Sequence, residues 1–312
     1  MKQFVPALVL AISVLSFIAA AESTTADAVS QDPTGFDSAF PPAMSSFFIK
    51  SGDERINGLI YMAAGAGPHP TVVLLHGYPG NERNLDLAQG LRRAGTNVIY
   101  FNYRGSWGSG GTFSVANALA DVKQILATAR DPQWATKYRI DTRQIALVGH
   151  SFGGFLGAVS TAQDPALPCY VHIAGADMGA FGMQALSSKA AEAELSTGLG
   201  GDLQAQGSPL KGDIKQLMQD LKTNAKVWSL PMYAKQLAKT PLLLISAEND
   251  QDTPVAQHHQ PFASALRDAN ASALTTLSYK DDHSFSAHRI ELTQQVIRWQ
   301  QQQCWNAQKR PK

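Results

Sequence analysis

Short apolar runs recur along the chain and alternate with stretches of helical periodicity. Five of these runs contain few or no polar residues, namely 71–75, 97–102, 145–148, 170–174 and 241–246. Runs of this kind are typical of parallel strands that are buried on both faces of a sheet. A further strand is expected at 274–279, and the runs at 46–50 and 56–62, joined by a Ser-Gly-Asp turn, predict a hairpin.

Helical periodicity fills the intervals between these strands. Val115, Leu119, Val122 and Leu126, for example, share one face of a helix predicted over 115–129. Further helices are expected at 85–94, 152–162, 255–269 and 287–303. Strands that alternate with helices form a parallel sheet with right-handed crossovers. The pattern therefore predicts an α/β fold with a mostly parallel sheet of about eight strands and helices on both faces.

One interval is far longer than a crossover requires. About 65 residues separate the strand that ends near Ala174 from the strand that starts at Pro241. Apolar residues between 214 and 221 follow helical spacing within it. We predict a helical insertion over about 177–240, which forms a lid or a small cap. Its apolar stripe belongs either to the core or to a substrate groove.

The first 21 residues differ from the rest of the chain. Lys2 precedes the apolar stretch Val5–Ile18, and three alanines follow at 19–21, which is the layout of a secretory signal peptide. The alternative is an uncleaved N-terminal anchor. Residues 22–44 are polar and turn-rich, so we expect a flexible segment before a folded domain at 45–312. The protein is then exported to the periplasm or secreted, with no stable membrane insertion after signal removal.

Charge and composition exclude some classes of partner. The 312 residues are 44% hydrophobic and carry 26 basic and 25 acidic side chains, a net charge of +1, with no block of like charges. A chain of this kind builds a large core and has no electrostatic reason to bind nucleic acid. The expected partner is a small-molecule ester or a short peptide.

A candidate nucleophile lies between a predicted buried strand and a predicted helix. The motif Gly149-His150-Ser151-Phe152-Gly153 has the Gly-x-Ser-x-Gly form that presents a serine hydroxyl on a sharp turn. The glycines remove side chains that would clash in such a turn. Because a serine hydroxyl is a weak nucleophile, it needs a base and a site for the negative charge of the intermediate. Ser151 is the predicted nucleophile, and a glycine-rich turn without catalytic role is the alternative.

A second motif supplies the expected oxyanion hole. His76-Gly77-Tyr78-Pro79 closes the predicted strand 71–75. The backbone N–H of Tyr78 and the backbone N–H of Phe152, which starts a helix, are the expected donors to the oxyanion. The side chain of His76 is expected to shape the loop rather than to act in catalysis.

With these motifs the chain resembles the α/β-hydrolase superfamily, and most of all its prolyl-oligopeptidase, dienelactone-hydrolase and serine aminopeptidase branches. The resemblance covers about 46–303 and rests on five ordered motifs: His76-Gly77-Tyr78-Pro79, Asn102-Tyr103-Arg104-Gly105-Ser106-Trp107-Gly108, Gly149-His150-Ser151-Phe152-Gly153-Gly154, Asn249-Asp250-Gln251-Asp252-Thr253-Pro254 and Asp282-His283-Ser284-Phe285. The chain is too short for the N-terminal propeller of full prolyl oligopeptidases. The resemblance specifies a fold, but not a substrate.

The resemblance also implies the remaining members of a catalytic triad. The acid of this superfamily usually follows the seventh strand, which indicates Asp250, with Asp252 as a close rival and Asp177 as a distant one. The base is then His283, after the last strand, and the order Ser151, Asp250, His283 is that of the superfamily. Hydrolysis would proceed through an acyl-enzyme, with lower activity at acid pH because the base must be unprotonated.

These residues predict a serine hydrolase, and hydrolysis of carboxylic esters is the first expectation because an ester has a good leaving group. The alternatives are an aminopeptidase or acyl-peptide hydrolase, and a binding protein without catalytic activity on the same fold. An aminopeptidase would need acidic groups at the pocket, for which Glu192, Glu194 and Asp202 are candidates. No cofactor is predicted. A metal site is not predicted either, because the adjacent His258 and His259 would diverge by about 100° on a helix.

The two cysteines, Cys169 and Cys304, both lie in the part predicted to be exported. Cys169 opens a predicted strand and Cys304 follows the last predicted helix, so both are expected at the end of the sheet opposite the active site. We predict a disulfide with a stabilising role. The alternative is two buried thiols.

Overall fold

A computed structural model describes residues 25–305, and its framework is a single sheet of eight strands. The strands are β1 (Ala43–Ser51), β2 (Glu54–Met62), β3 (His69–Leu75), β4 (Asn97–Phe101), β5 (Ile140–His150), β6 (Tyr170–Ile173), β7 (Leu242–Ala247) and β8 (Leu274–Tyr279). They lie in the order β1-β2-β4-β3-β5-β6-β7-β8. The pairs β1–β2 and β2–β4 are antiparallel and the other five are parallel. The predicted mostly parallel sheet is confirmed.

Helices cover both faces of the sheet, as predicted. The main ones are α2 (Leu85–Arg93), α3 (Val115–Arg130), α4 (Pro132–Tyr138), α5 (Phe152–Gln163), α10 (Val255–Asp268) and α11 (Arg289–Trp299). Successive residues of a strand point to opposite faces, so β3 contributes Val73 and Leu75 to one core and Val72 and Leu74 to the other. The first core includes α3, α5 and α10, and the second includes α2 and α11.

Two elements differ from their predicted bounds. β5 begins at Ile140, five residues before the predicted apolar run, and Ile140 pairs with His69. Its polar first half carries no strand pattern in the sequence. The last predicted helix, 287–303, is divided into α11 and a π-helix over Gln300–Trp305.

Part of the segment before the sheet has regular secondary structure. The proposed signal peptide, 1–21, lies outside the described residues. Within 22–44, which we expected to be flexible, Thr25–Ser30 forms the short helix α1, and β1 already begins at Ala43. Arg93 of α2 donates hydrogen bonds to the carbonyl oxygens of Ala28 and Val29, at 2.6 and 3.0 Å. Docking of a short polar segment depends on such distant contacts, which local sequence patterns do not reveal.

The long interval is helical, as predicted. It contains α6 (Met178–Ser187), α7 (Lys189–Gln204), α8 (Ile214–Asn224), a 3₁₀ turn (Leu230–Tyr233) and α9 (Ala234–Leu237). The apolar residues of α8 are buried in the first core. Across residues 25–305, no helix is both long enough and hydrophobic enough to cross a bilayer.

A disulfide joins Cys169 to Cys304, with Cα atoms 5.4 Å apart. Cys169 precedes β6 and Cys304 lies in the π-helix, so the bond ties the C-terminal end of the described chain to the sheet. Ser151 follows the other end of the neighbouring strand β5. The disulfide is therefore remote from the nucleophile that the sequence predicts.

Candidate active site

Ser151 occupies the turn between β5 and α5. Its backbone angles, φ 57° and ψ −123°, lie in a region that residues with a side chain rarely adopt. A Cβ atom on Gly149 would collide with the backbone of Gly153, and one on Gly153 would collide with the backbone of Leu75. The turn therefore requires both glycines of the motif.

Backbone hydrogen bonds hold this turn. The N–H of Ser151 donates to the Ile173 carbonyl at 3.0 Å, and the Ser151 carbonyl accepts from Gly154 at 2.8 Å and from Ala176 at 2.9 Å. Because β5 and β6 are parallel, the residues that follow them meet at one edge of the sheet. The strained position of Ser151 is thus stabilised by the neighbouring strand.

Asp250 and His283 follow the next two strands, β7 and β8, at the same edge. The Nδ1 of His283 lies 2.7 Å from Oδ2 of Asp250. The carboxylate also accepts from the N–H of Asp252 at 2.9 Å and from the N–H and hydroxyl of Thr253, each at 2.8 Å. The side chain of Asp250 is almost fully buried, whereas that of His283 is 15% exposed. Asp250 can therefore orient the imidazole while His283 reaches the cavity.

The charge state of Asp250 follows from these contacts. Burial raises the pKa of its carboxyl, but the hydrogen bonds from His283 and Thr253 outweigh burial and hold the pKa below its usual range. Asp250 is consequently ionised at neutral pH and favours a proton on Nδ1 of His283. That tautomer leaves Nε2 of His283 as a proton acceptor.

His150 connects the nucleophile turn to the loop that carries His283. Its Nε2 lies 2.8 Å from the His283 carbonyl, and the two imidazole rings are 4.7 Å apart. Because a carbonyl only accepts, His150 must carry its proton on Nε2. Burial, followed by the nearby His283, lowers the pKa of His150 to about 3, so the ring is neutral. The sequence motif offered no signal for this contact or for the hydroxyl of Thr253.

The predicted oxyanion loop follows β3 and packs against Ser151. A Cβ atom on Gly77 would lie 2.8 Å from the Cβ atom of Ser151, so this approach requires glycine. Among the described residues, no backbone carbonyl accepts from the amide of Tyr78 or of Phe152. The loop is further held by Trp107, whose Nε1 donates to the Pro79 carbonyl at 2.9 Å. The two predicted donors thus remain available beside the serine.

His76 has the structural role that the sequence suggested. It is buried, its Nδ1 lies 2.8 Å from the Gly77 carbonyl, and its ring packs 4.3 Å from that of Tyr103. Burial lowers its pKa to about 4. A neutral ring in this position shapes the loop before Tyr78.

These features agree with a sequence comparison. The model of the alpha/beta hydrolase family matches residues 72–291, which is more than half of the chain. The chain belongs to this family. Membership confirms the predicted superfamily and supports hydrolase activity. The described residues form no propeller domain. A search of curated proteins found no match to the sequence.

Solved structures share the alpha/beta hydrolase fold at low identity. An esterase from Pyrococcus furiosus is 16% identical, with a TM-score of 0.58, and the match covers 85% of this chain and 92% of that one. Est1E from Butyrivibrio proteoclasticus, solved with ferulic acid, is 14% identical, with a TM-score of 0.60 and coverage of 82% and 98%. An acylaminoacyl peptidase from Pyrococcus horikoshii is 19% identical, with a TM-score of 0.61 and coverage of 85% and 42%.

The two rival acids have other positions in this hydrolase. Asp177 caps α6, where its Oδ1 accepts from the N–H groups of Gly179 and Ala180 at 2.8 and 3.1 Å, and its Oδ2 accepts from Leu230 at 3.1 Å. Asp252 is exposed, and the structure gives the His283 hydrogen bond to Asp250 instead. The preference for Asp250 as the triad acid remains the better prediction.

A cavity of about 1120 Å³ opens in front of Ser151 and His283. The helical insertion forms one side of it, and the loops after β3 and β7 contribute to the rest. Tyr78 bridges the two sides, because its hydroxyl donates to the Leu199 carbonyl of α7 at 2.5 Å. The apolar residues that line the cavity include Phe113, Phe152, Phe181, Met178, Met183 and Leu195. The volume suits a small molecule or a short peptide segment.

The charged groups of the cavity are mainly acidic. Glu194, Asp202 and Asp252 line it, and no lysine or arginine does so in the described part of the chain. Burial, followed by the charge of Asp252, raises the pKa of Asp202, so these two carboxylates interact. Glu192, the other candidate from the insertion, instead pairs with Lys222 at 2.5 Å.

Asp250, Asp252 and His283 place possible metal ligands within 4.8 Å of one another. Both carboxylate oxygens of Asp250 already accept hydrogen bonds, one of them from the His283 nitrogen nearest to it. This arrangement suits a hydrogen-bonded acid and base more than a cation site.

Proposed function

We propose that this alpha/beta hydrolase is a serine hydrolase that cleaves carboxylic esters, with Ser151 as nucleophile, His283 as base and Asp250 as the orienting acid. One observation carries the proposal. Nδ1 of His283 lies 2.7 Å from Oδ2 of the buried, ionised Asp250, and this hydrogen bond orients the imidazole. His283 also lines the same cavity as Ser151, which is held in a strained turn.

The proposed reaction has two acyl-transfer steps. Nε2 of His283 takes the proton of the Ser151 hydroxyl as the oxygen attacks the ester carbonyl. The negative oxygen of the tetrahedral intermediate accepts from the amides of Tyr78 and Phe152, and Asp250 stabilises the imidazolium. His283 then protonates the departing alcohol. Water, activated by the same imidazole, attacks the acyl-enzyme and regenerates Ser151.

Esters are the preferred substrate class because the apolar lining of the cavity suits an acyl or alcohol chain, and an alkoxide leaves more readily than an amide nitrogen. Turnover of short and long p-nitrophenyl esters by the purified protein tests this directly. We expect turnover in the wild type and a loss of at least 1000-fold in kcat for Ser151→Ala and His283→Ala. Asp53→Asn, at an exposed turn far from the cavity, serves as a control.

A second candidate is an aminopeptidase, and the acidic lining of the cavity favours it. Carboxylates without a basic partner at a substrate cavity would attract the ammonium group of a peptide N-terminus. Aminoacyl anilides and matched N-acetylated anilides distinguish the two functions. Turnover of the free-amine anilide without ester turnover would replace the ester proposal, whereas no turnover of either class would favour a binding protein.

We also propose that the protein is exported. The signal-like segment at 1–21 and the Cys169–Cys304 disulfide both fit an oxidising compartment. N-terminal sequencing of the protein recovered from the periplasm or medium should begin at Glu22. Recovery only of the full-length chain in the cytoplasmic fraction would contradict this.

A further inference from the structure

A buried histidine that plays no part in the proposed chemistry lies in the same cavity. His258, on α10, is 3% exposed and lines the cavity together with Ser151 and His283. Its ring packs against Phe181 of α6, with ring centres 4.6 Å apart. The ring is thus fixed between the hydrolase core and the helical insertion.

The protonation of His258 is determined by the main chain. The backbone N–H of Asp177 lies 3.0 Å from Nδ1 of His258. A backbone amide only donates, so Nδ1 must carry no proton, and the neutral ring must carry its proton on Nε2. Burial lowers the pKa of His258 to about 4, although the nearby Asp250 raises it, so the ring stays neutral near pH 7. His258 is therefore a fixed N–H donor.

That donor has no acceptor within the described protein. No hydrogen-bond partner of Nε2 is found among residues 25–305, although the ring is buried. The two nitrogens of an imidazole point in nearly opposite directions, so a ring held at Nδ1 by the main chain directs Nε2–H away from it. Nε2 is not fully enclosed by the described protein, and His258 lines the cavity, so a bound ligand can supply the missing acceptor there.

We infer that His258 is a specificity residue whose Nε2–H donates a hydrogen bond to an oxygen of the substrate outside the ester group that is cleaved. The inference rests on the proposed function. It narrows the substrate class to esters that carry a further ether, hydroxyl or carbonyl oxygen in the acyl or the alcohol part. A hydrogen bond from a donor that is fixed in the cavity discriminates against a substrate that lacks the acceptor.

Two pairs of substrates isolate this oxygen. p-Nitrophenyl methoxyacetate and p-nitrophenyl butyrate differ only by an ether oxygen in place of a methylene in the acyl part. 2-Methoxyethyl butyrate and butyl butyrate differ in the same way in the alcohol part. The measured quantity is the oxygen preference, the ratio of kcat/KM within each pair, divided by the same ratio for hydrolysis by hydroxide.

Two conservative variants separate the donor from the structural contact. His258→Asn can keep an oxygen near the position of Nδ1, where it accepts from Asp177, but cannot reach the position of Nε2. His258→Gln can place its NH₂ near Nε2 but loses the acceptor for Asp177. We expect the oxygen preference of at least one pair to fall about ten-fold in His258→Asn and to stay within three-fold of the wild type in His258→Gln. His259→Asn, one residue along and outside the cavity lining, should not change it.

If His258 serves folding alone, the Tm of His258→Gln should be lower than that of the wild type, and the oxygen preference of His258→Asn should be unchanged. That result would overturn the inference. If neither variant folds, the wild type alone still tests the inference. A kcat/KM ratio that is no greater than the hydroxide ratio in both pairs would also overturn it. Ester turnover that survives Ser151→Ala would instead contradict the proposed function, so the two failures are distinguishable.

Discussion

Asp250 receives more hydrogen bonds than the orientation of one imidazole requires. The hydroxyl and the N–H of Thr253 both donate to it, and the Thr253 hydroxyl also lies 3.1 Å from the Ala174 carbonyl. At the residue scale, Thr253 therefore both holds Asp250 in place and keeps it ionised. Sequence patterns identified Asp250 through its position in a motif, but a supporting hydroxyl three residues away has no pattern of its own.

Thr253→Val removes this hydroxyl and keeps the shape of the side chain. We expect kcat/KM for p-nitrophenyl esters to fall about ten-fold, because the carboxylate loses one charge-assisted hydrogen bond. Thr253→Ser restores the hydroxyl and should stay within about three-fold of the wild type. Equal activity of the valine and serine variants would show that the contact does not serve the triad.

Asp177, the distant rival for the triad acid, has a structural role whose contribution to stability can be measured. Its carboxylate accepts three backbone N–H bonds, from Gly179, Ala180 and Leu230. Asp177→Ala should lower the free energy of unfolding in urea by about 2–4 kcal/mol, because a helix cap and a buried acceptor are lost together. Asp177→Asn keeps an accepting oxygen and should cost less. An alanine variant as stable as the wild type would contradict this role.

At the scale of elements, continuous apolar runs identified the central strands because both faces of a parallel sheet are buried. The same rule missed residues 140–144 of β5, because the four residues after Ile140 are polar and show no alternation of apolar and polar positions. It also gave no position for α1. The insertion was recognised from its length and helical spacing. Its arrangement over the cavity depends on contacts such as that between Tyr78 and Leu199, which join residues 121 positions apart.

The disulfide connects two elements that are distant in the sequence, since it joins the start of β6 to the π-helix across a separation of 135 residues. Closing a loop of this length restricts the unfolded chain, so we expect Cys169→Ala combined with Cys304→Ala to lose about 3–5 kcal/mol of stability. Ester turnover at 25 °C should be retained, since the bond lies away from Ser151. Urea unfolding of the double variant and the oxidised wild type measures the difference, and equal midpoints would contradict it.

At the scale of the whole molecule, several histidines are buried in neutral form. Burial is the main cause that lowers the pKa of His76 to about 4 and that of His150 and His172 to about 3. Unfolding would return each to about 6.5. A histidine whose pKa is lower in the folded state takes up a proton on unfolding, so stability is lost as the pH falls from about 6.5 towards 4.

Asp177 opposes this trend, because burial raises its pKa to about 6 and its protonation on acidification favours the folded state. Burial also lowers the pKa of His258 and His259 to about 4, so five histidines outweigh one carboxyl. We expect the free energy of unfolding to be lower at pH 5 than at pH 7 by on the order of 5–10 kcal/mol. Urea titrations at the two pH values measure it, and equal stability would mean that these rings are not buried and neutral.

Ser151 is the proposed nucleophile of acyl transfer, and His283 is proposed to activate its hydroxyl. A fluorophosphonate label, followed by intact mass and peptide mapping, tests it most directly. We expect one adduct per chain in the wild type, located on Ser151, a rate of labelling at least 100-fold lower in His283→Ala, and no adduct in Ser151→Ala. An adduct that persists in Ser151→Ala, or that maps to another residue of the wild type, would contradict it.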